Sequence, residues 1–426
     1  MGIDTTLNTV IPDTLSSNSQ DKEATANVEP KRTSQHAPDE DQNRVVECPR
    51  VLCTYKTPPC PPKKAIRVVK LLGQGGFGSV VEAHDQKQEK LVAIKIIRLG
   101  QKYRDTARKE LRILETLRLN DEENRNRCIH LRKCFEYRGH ICIVMDLLSQ
   151  STYDFLKANQ FVPFPDSQIQ SFARQLFGSI AFLHDLGLVH ADIKPENILL
   201  CDQSYQAFTY GRMRPSCSAA KSRESRHVTQ RRVLLNTEIR LIDFGLATFQ
   251  DESQPLYDAT PQYCAPETRL GFKASFARDI WSIGCTLVEF FTGNVVFDAD
   301  ELPEYLAMLE AVAGLEIEKE IAQVINEKFE DILSDFIFYA MRESRDKVKK
   351  MKMKHLDQII PGNNAFLKNF ADLLKKIFVF DPDLRITAKE ALHHPCLTEM
   401  AQPDDGTAAA QIRRKIHNRA SGSATS

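Results

Sequence analysis

A chain of 426 residues, 42% of them apolar and 27% charged, can bury one large core or two modest ones, and its 57 basic residues balance 57 acidic ones. That balance provides no overall field for nucleic acid or an anionic membrane, so direct nucleic-acid binding is not expected and a charged partner has to be met locally. No apolar run approaches the roughly 20 residues of a membrane span, and the 11 cysteines contain no C-x-x-C pair, which favours reduced thiols in the cytoplasm or nucleus over a disulfide framework.

Residues 1–47 are polar, without apolar period, and read as a disordered tail. They lack the basic-then-apolar order of a secretory signal. The start "MGIDTT" fits the myristoylation pattern at Gly2, a pattern short enough to match often by chance. A Pro-rich lead-in covers 48–65, with "TPPCPPKK" as its stiff centre. From 66 the text changes to strand-like segments, "IRVVKLL", "GSVVEA" and "LVAIKII", then the helical period of "DTARKELRILETLRL" and one more buried strand, "HICIVMDLL". Helical stretches dominate beyond. The expected fold is α+β and bilobal: a small antiparallel-sheet N-lobe with one main helix (66–145) and a larger, mostly helical C-lobe (149–397). Residues 201–238, polar and basic in the middle, are expected to form a surface insertion on a hairpin. The end, 398–426, reads as a second disordered tail; its "RRK" at 413–415 could serve as a nuclear address but is more simply a solvated basic run.

The chemistry-bearing residues come in a fixed order. "GQGGFG", Gly73 to Gly78, has the G-x-G-x-x-G spacing that lets backbone N–H groups approach phosphate oxygens, although a Gly-rich hairpin turn would have the same spacing. A dinucleotide fold would need a helix next; "SVVEA" continues as a strand. "VAIK" follows with Lys95 on a strand, suited to a fixed cation for phosphates if a helix carboxylate pairs with it. Glu110 is preferred to its rival Glu115, because Leu111 and Leu114 define the buried face beside it. In "LVHADIKPENILL", Asp192 can accept a hydroxyl proton, Lys194 can neutralise a γ-phosphate and Asn197 can ligate a metal, while "DFG" adds Asp243 as a carboxylate for Mg2+. "APE" closes the series at 265–267. Each piece alone is a common turn or helix start. Their order is the one known for protein kinases.

Residues 66–397 resemble a eukaryotic protein kinase domain. Within that superfamily, "ELPEYLAMLEAVAG" (301–314), the hinge-like "HICIVMDLLSQSTYDFLKANQFVPF" and "VFDPDLRITAKEALHHP" resemble the LAMMER, or Cdc-like, dual-specificity family. The resemblance implies ATP and Mg2+ as cofactors. It also implies a nucleotide-covering loop of Leu72, Gly73, Gln74, Gly75, Gly76, Phe77, Gly78, Ser79 and Val80. Adenine would lie between the lobes against a hinge, with Met145 as gatekeeper and the backbones of Asp146 and Leu148 as hydrogen-bonding groups. Arg385 is expected to pair with Glu267, and Asp279 to anchor the catalytic-loop backbone. Implied partners are protein substrates, with arginine/serine-rich splicing factors as the family's class, and the implied setting is nucleus or cytoplasm.

Two departures stand out. Ala191 replaces the arginine of H-R-D, which reads a phosphate on the activation segment; LAMMER-type kinases also lack it, so the loss fits a segment ordered by other means. Pro261 and Cys264 stand where such kinases carry arginines, which bears on substrate preference. Thr260, with Lys194, matches enzymes acting on serine and threonine. The readings set beside a Ser/Thr kinase are another kinase of the wider Cdk/MAP-kinase-related group, a nucleotide-binding pseudokinase scaffold and a small-molecule phosphotransferase.

Overall fold

The computed structural model describes residues 66–209, 215–218, 230–252, 260–272, 275–317, 320 and 331–401, with side chains left out for 331–338. The expected N-terminal tail with Gly2, the Pro-rich lead-in, the basic centre of the insertion and the "RRK" run lie outside the described residues. The described residues fall into two compact units, one made of those up to Arg112 with Leu131–Leu147, the other of Ile113–His130 and those from Leu148 on.

The first unit is an antiparallel sheet of β1 (Ile66–Gln74), β2 (Gly78–Asp85), β3 (Lys90–Ile97), β4 (Leu131–Tyr137) and β5 (His140–Asp146), in the order β1-β2-β3-β5-β4. Its inward face is a mostly β-branched set at alternate positions: Val68, Val81, Val92, Ile94, Ile96 and Val144, with Ala83 and Cys142 among them. Helix α1 (Gln101–Asn120) follows β3 and buries Ala107, Glu110, Leu111, Leu114 and Leu117, neighbours at helical spacing.

The second unit includes α2 (Thr152–Ala158), α3 (Asp166–Asp185), α4 (Pro266–Arg269), α5 (Ala277–Thr292), α6 (Leu302–Ala313) and α7 (Asp331–Met351), with short two-stranded pairings between α3 and α4. Helix α5 is buried from Arg278 to Thr292, its charged residues Arg278, Asp279 and Glu289 included. It ends at Gly293, whose φ of 73° and approach to the Phe161 carbonyl (2.0 Å from an added Cβ) exclude any side chain. Trp281 on this helix stacks with Phe297 and meets Phe378 edge-on. Arg385, fully buried, clamps Glu267 through both carboxylate oxygens at 2.7 and 2.9 Å, the pairing expected from sequence.

The insertion does form a hairpin, β8 (Tyr205–Thr209) against β9 (Gln230–Leu234), numbered after the short strands β6 (Leu188–Val189) and β7 (Ile198–Leu200). It is not wholly a surface feature. Asn159 brackets the Arg232 backbone with two hydrogen bonds, and Ser216, Cys217 and Ser218 are buried, with the Cys217 carbonyl accepting from Lys354 N at 2.9 Å. Small polar residues could enter there because backbone groups from the α7 end satisfy them.

Candidate active site

In the sheet unit, β1 and β2 are joined by a tight Gly-rich turn in which Gly75 N donates to Gly78 O at 2.9 Å. Gly78 is required by packing, since a Cβ there would lie 2.1 Å from the Ile96 carbonyl. Gly73, Gly75 and Gly76 are not, because a Cβ on any of them would meet open space. Packing does not account for their bareness, which leaves room for a phosphate approached by backbone N–H groups. Beside them the buried Ser79 hydroxyl has no hydrogen-bond partner among the described residues, while Leu72 is exposed and Phe77 and Val80 are half-buried.

Lys95 sits on β3 between Val80 of β2 and Ile143 of β5, and its Nζ lies 2.7 Å from Glu110 Oε1 on α1, with both groups buried. Glu115, the rival, pairs with Arg118 instead. The Asp146 backbone pairs with Val92, and its carboxylate is taken by Arg132 (2.5 Å) and Lys90 (3.1 Å); partial burial would raise its pKa, but these cations hold it below the usual range. Leu148 is half-buried, in the second unit.

In the helical unit the catalytic loop follows β6. Asp279, wholly buried on α5, accepts from the backbone N–H groups of His190 and Ala191 at 2.9 Å each and lies 3.2 Å from the His184 ring. Burial alone would raise its pKa; those contacts hold it low. Ala191 thereby stays at φ 71°, a left-handed conformation that costs a residue with a Cβ about 1–2 kcal/mol. Its carbonyl accepts from buried Arg278 at 3.3 Å. Asp192 is held on several sides: Thr260 Oγ1 donates to Oδ1 at 2.8 Å, Lys194 Nζ to Oδ2 at 2.7 Å and Asn197 Nδ2 to Oδ2 at 3.0 Å. Lys194 also donates to Thr260 Oγ1 at 2.7 Å.

β7 begins directly after Asn197 and pairs with β10 (Ile239–Leu241), which runs into Asp243; Ile242 N donates to Asn197 O at 2.9 Å, so the hairpin brings the two expected metal ligands side by side. Asn197 commits its amide nitrogen to Asp192, leaving the amide oxygen as a donor for a cation. Amide and carboxylate oxygens suit a hard divalent ion. Among the described residues no group of three or more His, Cys, Asp or Glu is placed to hold a metal, so such an ion would complete its shell with phosphate oxygens and water.

The end of the activation segment carries contacts that sequence reasoning missed. Tyr263 donates to Glu289 Oε2 of α5 at 2.5 Å, Ser282 donates to the Tyr263 carbonyl at 2.8 Å, and Tyr305 of α6 to the Cys264 carbonyl at 3.1 Å. Burial pushes Glu289 up to about 7, against the Tyr263 hydrogen bond and with help from Glu196. A signal for it existed: a lone carboxylate late in the apolar run "IWSIGCTLVEFF". Cys264, its thiol pKa raised by burial, lies within electrostatic range of Arg278 and Arg269, so guanidinium groups do stand near this position, although the segment does not carry them.

The protein kinase domain family matches residues 66–397. The dual specificity protein kinase Lkh1 of Schizosaccharomyces pombe is 43% identical over 335 residues, 78% of this chain and 46% of its own length. The serine/threonine-protein kinase AFC2 of Arabidopsis thaliana is 36% identical over 332 residues, 77% of this chain and 76% of its own. For the human dual specificity protein kinase CLK1 the figures are 35% over 329 residues, 77% and 65%. The chain spans about half the length of the first of these curated relatives (46%). A crystal structure of a kinase domain superposes with a TM-score of 0.66 at 29% identity, covering 78% of this chain and 95% of that one.

Proposed function

The chain belongs to the protein kinase family and, within it, to the LAMMER, or Cdc-like, kinases, and on that premise we propose that it transfers the γ-phosphate of Mg·ATP to serine and threonine hydroxyls of proteins, with tyrosine as an autophosphorylation target. ATP and a divalent cation go with this fold. The observation that carries the reading is the Thr260 hydroxyl donating to Asp192 while Lys194 bridges both groups. The carboxylate is already aimed at a hydroxyl, with an ammonium beside the oxygen.

When bound, Mg·ATP supplies the phosphoryl group and the positive charge that offsets its transfer. Asn197 and Asp243 would hold the cation, and Lys95, steadied by Glu110, would hold the phosphates. The acceptor hydroxyl would hydrogen-bond to Asp192, which orients it and takes its proton as its oxygen bonds to the γ-phosphorus and the bond from that phosphorus to the ADP leaving group breaks. Lys194 offsets charge next to that oxygen. Most of the acceleration is placement and electrostatics, because these groups are fixed before substrate arrives.

Arginine/serine-rich splicing factors are the proposed substrates. Support comes from the carboxylates beside the acceptor position: Glu196 lies within electrostatic range of both Asp192 and Asp154, as well as of Lys194. A neutral chain can recognise a basic peptide through such a local field. Purified protein, radiolabelled ATP and paired peptides, one arginine/serine-rich and one with alanine for arginine, test the proposal. Label should favour the basic peptide and fall by about 10²–10⁴ in Asp192→Asn. Equal labelling with and without that change would overturn it.

A further inference from the structure

Lys95 and Glu110 form a buried pair, but one ion pair does not by itself fix the rotation of a helix about its own axis. A second attachment is visible in the same unit. Arg104, in the first turns of α1, reaches the β4–β5 hairpin. Its Nη2 lies 2.7 Å from Glu136 Oε1 and donates to the Gly139 carbonyl at 3.0 Å, and its Nη1 lies 3.5 Å from Glu136 Oε2. The pair is mostly shielded, with the two side chains 29% and 25% exposed.

The anchor it grips is rigid. Arg138 (φ 49°) and Gly139 (φ 82°) are both left-handed, as the two-residue turn of a tight hairpin requires. Directly after the turn, the buried His140 ring nitrogen Nδ1 donates to the carbonyl of Ile97 at 2.7 Å. Ile97 is on β3, two residues from Lys95. The contacts therefore close a frame running from Lys95 along β3 to Ile97, His140, the hairpin turn, Arg104, α1, Glu110 and back to Lys95. Arg104 and Glu110 are six residues apart, about 9 Å along the helix axis and about 120° around it, so α1 is held at two separate points on different faces, which fixes its rotation.

We propose that Arg104 is a positioning residue for nucleotide binding: through Glu136 and the Gly139 carbonyl it holds α1 in the rotation that keeps Glu110 on Lys95. The inference rests on the kinase reading given above. It also accounts for what Ala191 omits, since the order of the lysine–glutamate pair is built into its own unit and does not wait on a phosphate read by the catalytic loop. Loosening the helix lowers the fraction of molecules with a competent lysine, and apparent affinity falls by that fraction.

The test uses the full chain and a fluorescent ATP analogue, with steady-state kinetics in parallel, on wild type, Arg104→Ala, Glu136→Gln, Arg104→Lys and the exchange Arg104→Glu with Glu136→Arg. The dissociation constant and the KM for ATP should rise about five- to tenfold in Arg104→Ala and Glu136→Gln. At saturating ATP, kcat should stay within about twofold, because bound nucleotide selects the competent state. Arg104→Lys and the exchange should recover most of the affinity. Should Arg104→Ala melt early, Glu136→Gln, which keeps the shape and removes only the charge, carries the same reading. Affinity unchanged in Glu136→Gln, or a loss that neither Arg104→Lys nor the exchange recovers, overturns the role. Wild-type protein that transfers no phosphate, yet whose nucleotide affinity answers to Arg104, would reject the catalytic reading and uphold the positioning role.

Discussion

In the sheet unit, Lys95 is held by Glu110 from a helix tied down at Arg104, a set of side-chain contacts that can each be lost singly. In the helical unit, Asp192 is held by Thr260, Lys194 and Asn197 on a loop whose backbone is itself bonded to Asp279. The first arrangement is adjustable. The second over-determines its geometry, which is how it keeps Ala191 and Asp243 (φ 60°) in left-handed backbone. The contrast assigns affinity to the part that can be tuned and chemistry to the part that cannot.

Substitutions can break the contrast, and the largest effects belong to the rigid part. Glu267→Ala would leave the buried Arg385 guanidinium without its carboxylate and should cost about 3–5 kcal/mol in denaturant unfolding; a cost near that of Arg104→Ala, about 1 kcal/mol or less for a partly exposed pair, would erase the distinction between the two regions. Lys95→Met should weaken nucleotide binding by roughly tenfold or more, as expected for a lost charge-assisted contact, while leaving Thr260, Lys194 and Asp192 in place, read by titration with an ATP analogue.

Glu289 sharpens the comparison through pH. Its folded pKa of about 7 stands above the ordinary glutamate value of 4.5, so the folded state holds the proton more tightly. That contribution to stability is complete below pH 4.5 and is lost as pH rises through about 7, amounting to roughly 3 kcal/mol at most. Glu289→Gln can still accept from Tyr263, so it should flatten the decline in unfolding midpoint between pH 5 and 8; parallel curves for variant and wild type would count against a buried proton there. The smallest effect is Ala191→Gly, which relieves the left-handed backbone and should change stability by no more than about 1 kcal/mol, in the stabilising direction, whereas Ala191→Val should destabilise.

Much of this was legible in the residues. Apolar runs marked four of the five strands, while half-buried, charged β4 (Leu131–Tyr137) left no such run; Leu111 and Leu114 turned Glu110 inward over Glu115, and motif order placed Asp192, Lys194, Asn197 and Asp243 in one series. Apolar burial leaves a local period, and active-site chemistry leaves short motifs. Polar partnerships between distant segments leave neither. Nothing near Tyr263 pointed 26 residues on to Glu289, and nothing near Arg104 pointed 32 residues on to Glu136. The burial of Ser216–Ser218 was hidden for the same reason: its partners are backbone groups near Met351 to Lys354, and backbone carries no sequence signature.

The division of labour is tested most directly by measuring ATP-analogue affinity and single-turnover phosphate transfer on the same preparations of Asp192→Asn and Lys95→Met. Asp192→Asn is predicted to bind nucleotide within about threefold of wild type while transfer falls by about 10²–10⁴, and Lys95→Met to lose affinity first. Transfer at the wild-type rate in Asp192→Asn, or equal loss of binding in both variants, would contradict it.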